Sequence, residues 1–240
     1  MRHSWSIVSL AAELNELGLQ CKAAARCDEG RAHYERALAL LVGQSTSDLN
    51  DVATLYHNLG GIEHARGDYV AAERFARRGL EIRTALSAAD PCDIAADMVA
   101  LAAILDGREE YDEAESLYRD ALCIFERTPG ERARDIAVTL GNLGAQYALR
   151  GRLDPAADLL HRAAALKIRL LGPCHPDVAV TLNNLAWTFR LRRDFARSAA
   201  IYAEAVEIFQ RSLGVDHPKA IACRANAAQC AAAAREAVTA

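Results

Sequence analysis

The sequence predicts an all-α fold, a right-handed solenoid of about five helix-turn-helix units closed by a C-terminal capping helix, and three features carry that expectation. The first is a period. Residues 177–208 read DVAVTLNNLAWTFRLRRDFARSAAIYAEAVEI, and a step of 42 from Asp177 back to Asp135 meets DIAVTLGNLGAQYALRGRLDPAADLLHRAAAL. Equal steps reach Asp93 and Asp51, and a worn first copy ends at Leu40. A regular repeat of this size marks a stacked array. The second is a pair of amphipathic patterns in each copy, Leu182, Leu185, Ala186 and Phe189, then Ala199, Tyr202, Ala205, Val206 and Phe209. Steps of three and four put each set on one helical face. Such a pair cannot bury its apolar side alone, so each copy stacks on the next.

The third feature is a set of columns. A leucine recurs in the first helix (Leu17, Leu59, Leu101, Leu143, Leu185), followed by a small residue (Gly18, Gly60, Ala102, Gly144, Ala186). The second helix alternates small, large and small. Its columns are Gly30, Ala72, Ala114, Ala156 and Ser198; then Tyr34, Ala76, Tyr118, Leu160 and Tyr202; then Ala37, Gly79, Ala121, Ala163 and Ala205. Fixed offsets of this kind are a rule of packing, not of chemistry.

Taken in order, helices are expected at 5–25, 28–42, 51–66, 69–86, 93–107, 111–127, 133–150, 153–170, 176–192 and 195–212, grouped into repeats over 5–42, 51–86, 93–127, 133–170 and 176–212. The whole of 1–240 is expected to be a single domain. Residues 1–12 read as the start of the first helix and not as a signal peptide, because Ser6 and Ser9 interrupt the apolar patch and Glu13 ends it. The stretch 42–50, with Gly43, Gln44 and a Ser/Thr cluster, reads as a loop. Gly67-Asp68, Gly107, Gly151-Arg152 and Arg193-Asp194 punctuate the hairpins, and the longer connectors hold Asp90-Pro91, Pro129-Gly130, Gly172-Pro173 and Asp216-His217-Pro218. Proline suits these ends and the first turn of the next helix. The Ala-rich stretch 219–239 is in the register of another first helix and reads as a lid over the fifth repeat, or else as a seam for a second copy of the chain.

Composition narrows the function classes. A net charge of −4, mixed along the chain, lacks the clustered basic face of a nucleic-acid binder. No apolar run approaches the ~20 residues of a membrane span. Seven cysteines, Cys21, Cys27, Cys92, Cys123, Cys174, Cys223 and Cys230, are odd in number and show no CxxC spacing, which fits buried, reduced thiols in a cytoplasm better than a disulfide framework.

The Leu-Gly/Ala, Ala, Tyr, Ala arrangement resembles the tetratricopeptide repeat, and the 42-residue spacing with the words TLNNLA and DEAESLYRDAL is similar to the kinesin light chain type. The resemblance covers nearly the whole chain. It departs where the family often has proline after the second helix, since Val42, Thr84, Glu126, Ile168 and Gln210 stand there. The resemblance implies that first helices line a groove, and that groove-facing asparagines clamp the main chain of an extended peptide.

The column that would do so is Asn58, Ala100, Asn142, Asn184 and Asn226. Asparagine is a poor helix-interior residue because its amide competes for backbone bonds, and an amide offers both donor and acceptor. Clamping a peptide and bonding across adjacent helices both account for the column. Asn183, Trp187 and Arg190 are expected to add an aromatic and cationic anchor, so an acidic segment is expected toward repeats four and five. His57, His64, Asp97 and Asp106 would take a basic or polar segment nearer repeats two and three. The known carboxylate clamp needs lysines in columns that here hold Thr54, Ala96, Val138 and Val180, and His57, Val99, Gly141 and Asn183, so a clamp of that kind is not expected.

Chemistry finds less support. A metal site can be drawn through His57, His64 and Asp106, yet HxxxH and HExxH spacings are missing. His175-Pro176 and His217-Pro218 recur with the repeat and read as connector geometry. The expectation is therefore a cytoplasmic, non-catalytic adaptor without metal or cofactor, binding a protein or peptide. A His/Asp pocket acting on a small molecule is one alternative, and a scaffold that dimerises through its last helix is another.

Overall fold

The computed structural model describes residues 6–42, 49–128, 130 and 132–239. Among the described residues there are eleven α-helices and no strand. They are α1 (Ile7–Ala23), α2 (Cys27–Leu41), α3 (Leu49–Arg66), α4 (Tyr69–Thr84), α5 (Pro91–Gly107), α6 (Tyr111–Arg127), α7 (Ala133–Leu149), α8 (Leu153–Leu171), α9 (Pro176–Leu191), α10 (Phe195–Leu213) and α11 (Pro218–Thr239). Every expected helix is present. Trp5, where the first was expected to begin, the loop residues 43–48 and Pro129 lie outside the described residues.

The chain divides into two compact units, Met1–Thr128 and Pro129–Ala240. In the first, α1/α2, α3/α4 and α5/α6 are hairpins; α2 packs on α3 and α4 on α5, while the first helices α1, α3 and α5 touch in succession. In the second, α7/α8 and α9/α10 are hairpins, α8 packs on α9, α7 touches α9, and α11 packs on α10. Sequential hairpins with neighbour-only packing make an α-solenoid of helical repeats.

The hairpin turn is the same each time. Ala25, Gly67, Glu109, Gly151 and Arg193, one every 42 residues, have φ of 57°, 79°, 63°, 74° and 62°. The amide of the following residue bonds back to Cys21, Glu63, Leu105, Tyr147 or Phe189 at 2.8–3.0 Å, and the turn residue's own amide bonds to Lys22, His64, Asp106, Ala148 or Arg190 at 3.0–3.1 Å. This double bond pattern is the Schellman closure of a helix. It satisfies the carbonyls that α1, α3, α5, α7 and α9 would otherwise leave open.

The columns pack as expected. Tyr34, Tyr118, Leu160 and Tyr202 are at most 1% exposed, and every member of the two small-residue columns of the second helices is buried. Close approach explains the small residue of the first helix: a Cβ on Gly18 would come within 2.3 Å of the Tyr34 ring, and one on Gly144 within 2.8 Å of Leu160. Leu17 differs from its column. It is 38% exposed, whereas Leu59, Leu101, Leu143 and Leu185 are buried.

Caps start three of the helices that follow connectors, α5, α9 and α11. Asp90 accepts from the Cys92 amide, and the imidazoles of His175 and His217 accept from Asp177 and Lys219 at 3.1 and 3.2 Å, each ahead of a proline in the first turn. The recurring His-Pro pair is thus connector geometry. The thiols divide. Cys21, Cys92, Cys223 and Cys230 are buried and Cys27 is partly so, as filler thiols would be, but Cys123 and Cys174 are exposed. Ala220, Cys223 and Cys230 form the buried side of α11, where Ser198 donates to the Cys230 Sγ at 3.3 Å. No helix among the described residues is long and apolar enough to cross a membrane.

Candidate functional site

In the first unit the first helices enclose a cleft of about 290 Å³, lined by Asn15 and Leu19 of α1, Thr54, His57 and Asn58 of α3, Asp93, Ala96 and Asp97 of α5, and Arg83 from the last turn of α4. Thr54, His57 and Asn58 share a face because they are three and four residues apart. At the floor, Arg83 donates through Nε to Asp97 Oδ2 at 2.6 Å, through Nη1 to Asn50 at 2.6 Å and through Nη2 to Thr54 at 3.1 Å. His57 Nδ1 lies 2.7 Å from the other oxygen of Asp97. Arg83 and Asp97 are both buried, so the charges compensate each other where water cannot. Removing Asp97 would strand the guanidinium. Asp93, about half exposed, stands at the rim 3.7 Å from Arg83.

Asn58 is used between helices: its amide donates to Asn15 of α1 at 2.8 Å, and it is only 7% exposed. In the second unit the column behaves differently. Asn142 on α7, Asn184 on α9 and Asn226 on α11 are half-buried. Among the described residues the hydrogen bonding of the Asn142 and Asn184 side chains amounts to one long contact, from Asn183 to Asn184 at 3.5 Å.

The remaining expected residues are drawn to separate tasks. The column of Asp106 and Arg190 lies near two of the buried tyrosines, and Asp106 serves one of them as a hydroxyl partner. Tyr118 donates to Asp106 at 2.9 Å. Burial pushes the Tyr202 hydroxyl up to about 12, while Arg190 is exposed and its charge opposes the rise. In the fourth repeat Leu160 has no hydroxyl, and the same column holds buried Ala148. Trp187 is half-buried against the core of the second unit and exposes the rest of its indole.

His64 packs edge-on to Tyr69 with centroids 5.5 Å apart. Burial draws its pKa down, helped by the charge of Lys22 and opposed by a hydrogen bond to the Ala103 carbonyl. His57, His64 and Asp106 therefore each have a different neighbour, respectively Asp97, Tyr69 and Tyr118. Among the described residues no group of three or more His, Cys, Asp or Glu side chains is placed to hold a metal ion.

Sequence reasoning passed over Asn15, Arg83 and Lys167. A signal existed for the two cations. Leu41, Arg83, Phe125, Lys167 and Phe209 form one column at the end of the second helix, and its apolar members are buried. A charge in a core column demands a partner, and the partner lies on the first-helix face.

Comparison with known proteins agrees with this architecture. A solved Podosopora anserina protein, described as a kinesin light chain with nearly identical TPR-like repeats, is 17% identical with a TM-score of 0.66, over 88% of this chain and 98% of that one. BtubC (BKLC) from P. vanneervenii is 19% identical with a TM-score of 0.61, over 97% and 93%. YrrB, described as a TPR protein with an unusual peptide-binding site, is 17% identical with a TM-score of 0.51, over 89% and 91%. None of the curated proteins matches this chain. The family model for the tetratricopeptide repeat matches residues 9–85, 93–167 and 135–208, and with that span covered the chain belongs to the tetratricopeptide repeat family.

Proposed function

We propose that the chain is a non-catalytic, cytoplasmic adaptor that holds an extended peptide segment of a partner protein against its first helices. The observation that carries this reading is the half-buried pair Asn142 and Asn184, whose side chains no bond between helices consumes. An amide in mid-helix weakens the helix unless it meets something, and a peptide main chain offers both donors and acceptors. The exposed part of Trp187 supplies an apolar surface beside them. In the first unit the same helices offer His57 and Asp93 at the mouth of a cleft whose floor is already neutralised, which suits a polar or basic residue of the partner. The description of YrrB, a protein of this fold, supports peptide binding as a use of such a face.

The test is affinity capture from the native host with wild type and the Asn142→Ala/Asn184→Ala variant, followed by mass spectrometry. The reading expects at least one partner to be lost from the variant with helix content unchanged. Capture that persists in full, together with a turnover that His57→Ala abolishes, would instead favour the small-molecule pocket.

A further inference from the structure

Arg83 and Lys167 hold the same place in two repeats, at the ends of α4 and α8, and the surroundings of the two cations differ in an informative way. In the first unit compensation is complete, with Asp97 against the guanidinium and His57 over the other carboxylate oxygen. The second unit keeps the cation and removes the counter-charge. Thr181 stands where Asp97 stands, and its hydroxyl accepts from Lys167 Nζ at 2.9 Å while donating to the Asp177 carbonyl at 3.1 Å. Gly141 stands where His57 stands.

Packing does not require that glycine. A Cβ there would meet nothing nearer than Ala163 Cβ and Lys167 Nζ, both at 3.9 Å, in contrast to the 2.8 Å that makes glycine necessary at Gly144. Yet a helix-interior glycine costs about 0.5–1 kcal/mol relative to alanine. What it leaves, at a glycine that is itself buried, is space for about a methyl group at van der Waals distance from an ammonium. Burial draws the Lys167 pKa down, and Asp177, itself about half exposed at the rim, opposes that shift. Among the described residues the hydrogen-bond partner of Lys167 is Thr181, so a group with three donors meets one neutral acceptor.

We propose that the space beside Gly141 and Lys167, between α7 and α9, is a subsite for a carboxylate of the bound peptide, which takes up the part that Asp97 plays within the first unit. The proposal rests on the peptide-binding reading and narrows it to a partner that is acidic at this point. The carboxylate belongs either to an Asp or Glu side chain or to a chain terminus.

The chain has three lysines, Lys22, Lys167 and Lys219, so 15N-lysine labelling places one probe in the subsite and two controls outside it. Three peptides are titrated: tetra-alanine with a free C-terminus, acetyl-Ala-Glu-Ala-amide and acetyl-Ala-Gln-Ala-amide. The expected result is a saturable shift of the Lys167 signal with the first, the second or both, none with the glutamine peptide, and none at Lys22 or Lys219. The responding peptide identifies the source of the carboxylate. Thr181→Asp supplies an internal counter-charge and should weaken that response at least about tenfold, the weight of one charge-assisted hydrogen bond. An equal response to the glutamine peptide, an unmoved Lys167, or an undiminished response in a folded Thr181→Asp variant overturns the proposal. Partner loss by the Asn142→Ala/Asn184→Ala variant in the capture experiment remains a separate readout. A silent Lys167 beside a preserved Asn142/Asn184 effect would therefore remove the carboxylate subsite and leave the peptide reading standing.

Discussion

Glu63 shows what a single residue of this array is asked to do. Its column otherwise holds Cys21, Leu105, Tyr147 and Phe189, all buried, and Glu63 itself is 1% exposed. Arg31 and Arg66 approach its oxygens at 3.0 and 3.4 Å, yet neither oxygen accepts a well-formed hydrogen bond. Burial raises its pKa above the ordinary 4.5, with the Arg31 charge opposing. A carboxyl whose folded value is raised leaves stability intact below pH 4.5 and removes it as the pH climbs through the folded value. Glu63→Leu should therefore stabilise the fold by about 1 kcal/mol at pH 7, with the gain shrinking toward pH 4; urea midpoints at the two values check this. Both arginines are about one-third exposed and can return to water. A gain that is the same at both pH values, or a loss at pH 7, would show that the ion pairs outweigh desolvation. Thiols offer a second residue-scale check. Burial pushes Cys223 up to about 11, whereas Cys123 and Cys174 are exposed. Ellman's reagent at pH 8 should modify those two well before Cys223, and early modification of Cys223 would mean that α11 lifts from α10.

Among the elements, the hairpin turn is where sequence and backbone agree least. The left-handed residue recurs every 42 positions, but only Gly67 and Gly151 are glycines, while Ala25, Glu109 and Arg193 adopt the same conformation. Nothing stands within 4 Å of a Cβ on Gly67 or Gly151, so the only obstacle there is the φ itself. Gly67→Ala and Gly151→Ala should each cost about 1 kcal/mol, and Glu109→Gly or Arg193→Gly should recover part of a similar amount. Denaturant midpoints would reveal both signs. The helices themselves were legible because apolar spacing and turn signals are local. The positive φ at Glu109 and Arg193 was not, since those residue types give no hint of it; it follows from the Schellman closure that the hairpin imposes.

For the molecule as a whole, the repeat made the fold readable and the site only partly so. Columns such as Tyr34, Tyr118 and Tyr202 announce burial from their periodicity. The polar side chains cannot be sorted in the same way, because periodicity gives the face and not the partner. Asp106 shared a column with His64 and looked like a groove residue, yet it also accepts from the Tyr118 hydroxyl. Arg83 and Lys167, passed over in the sequence, reach the first-helix face.

The central claim is that packing consumes the second-helix columns and leaves the first-helix face for a partner. Hydroxyl-radical footprinting of the captured complex against the free chain addresses it directly. Trp187 and His57, both half-buried on first helices, should lose reactivity in the complex while Phe75 of α4 keeps its own. Protection of Phe75 with Trp187 and His57 unchanged would contradict the account.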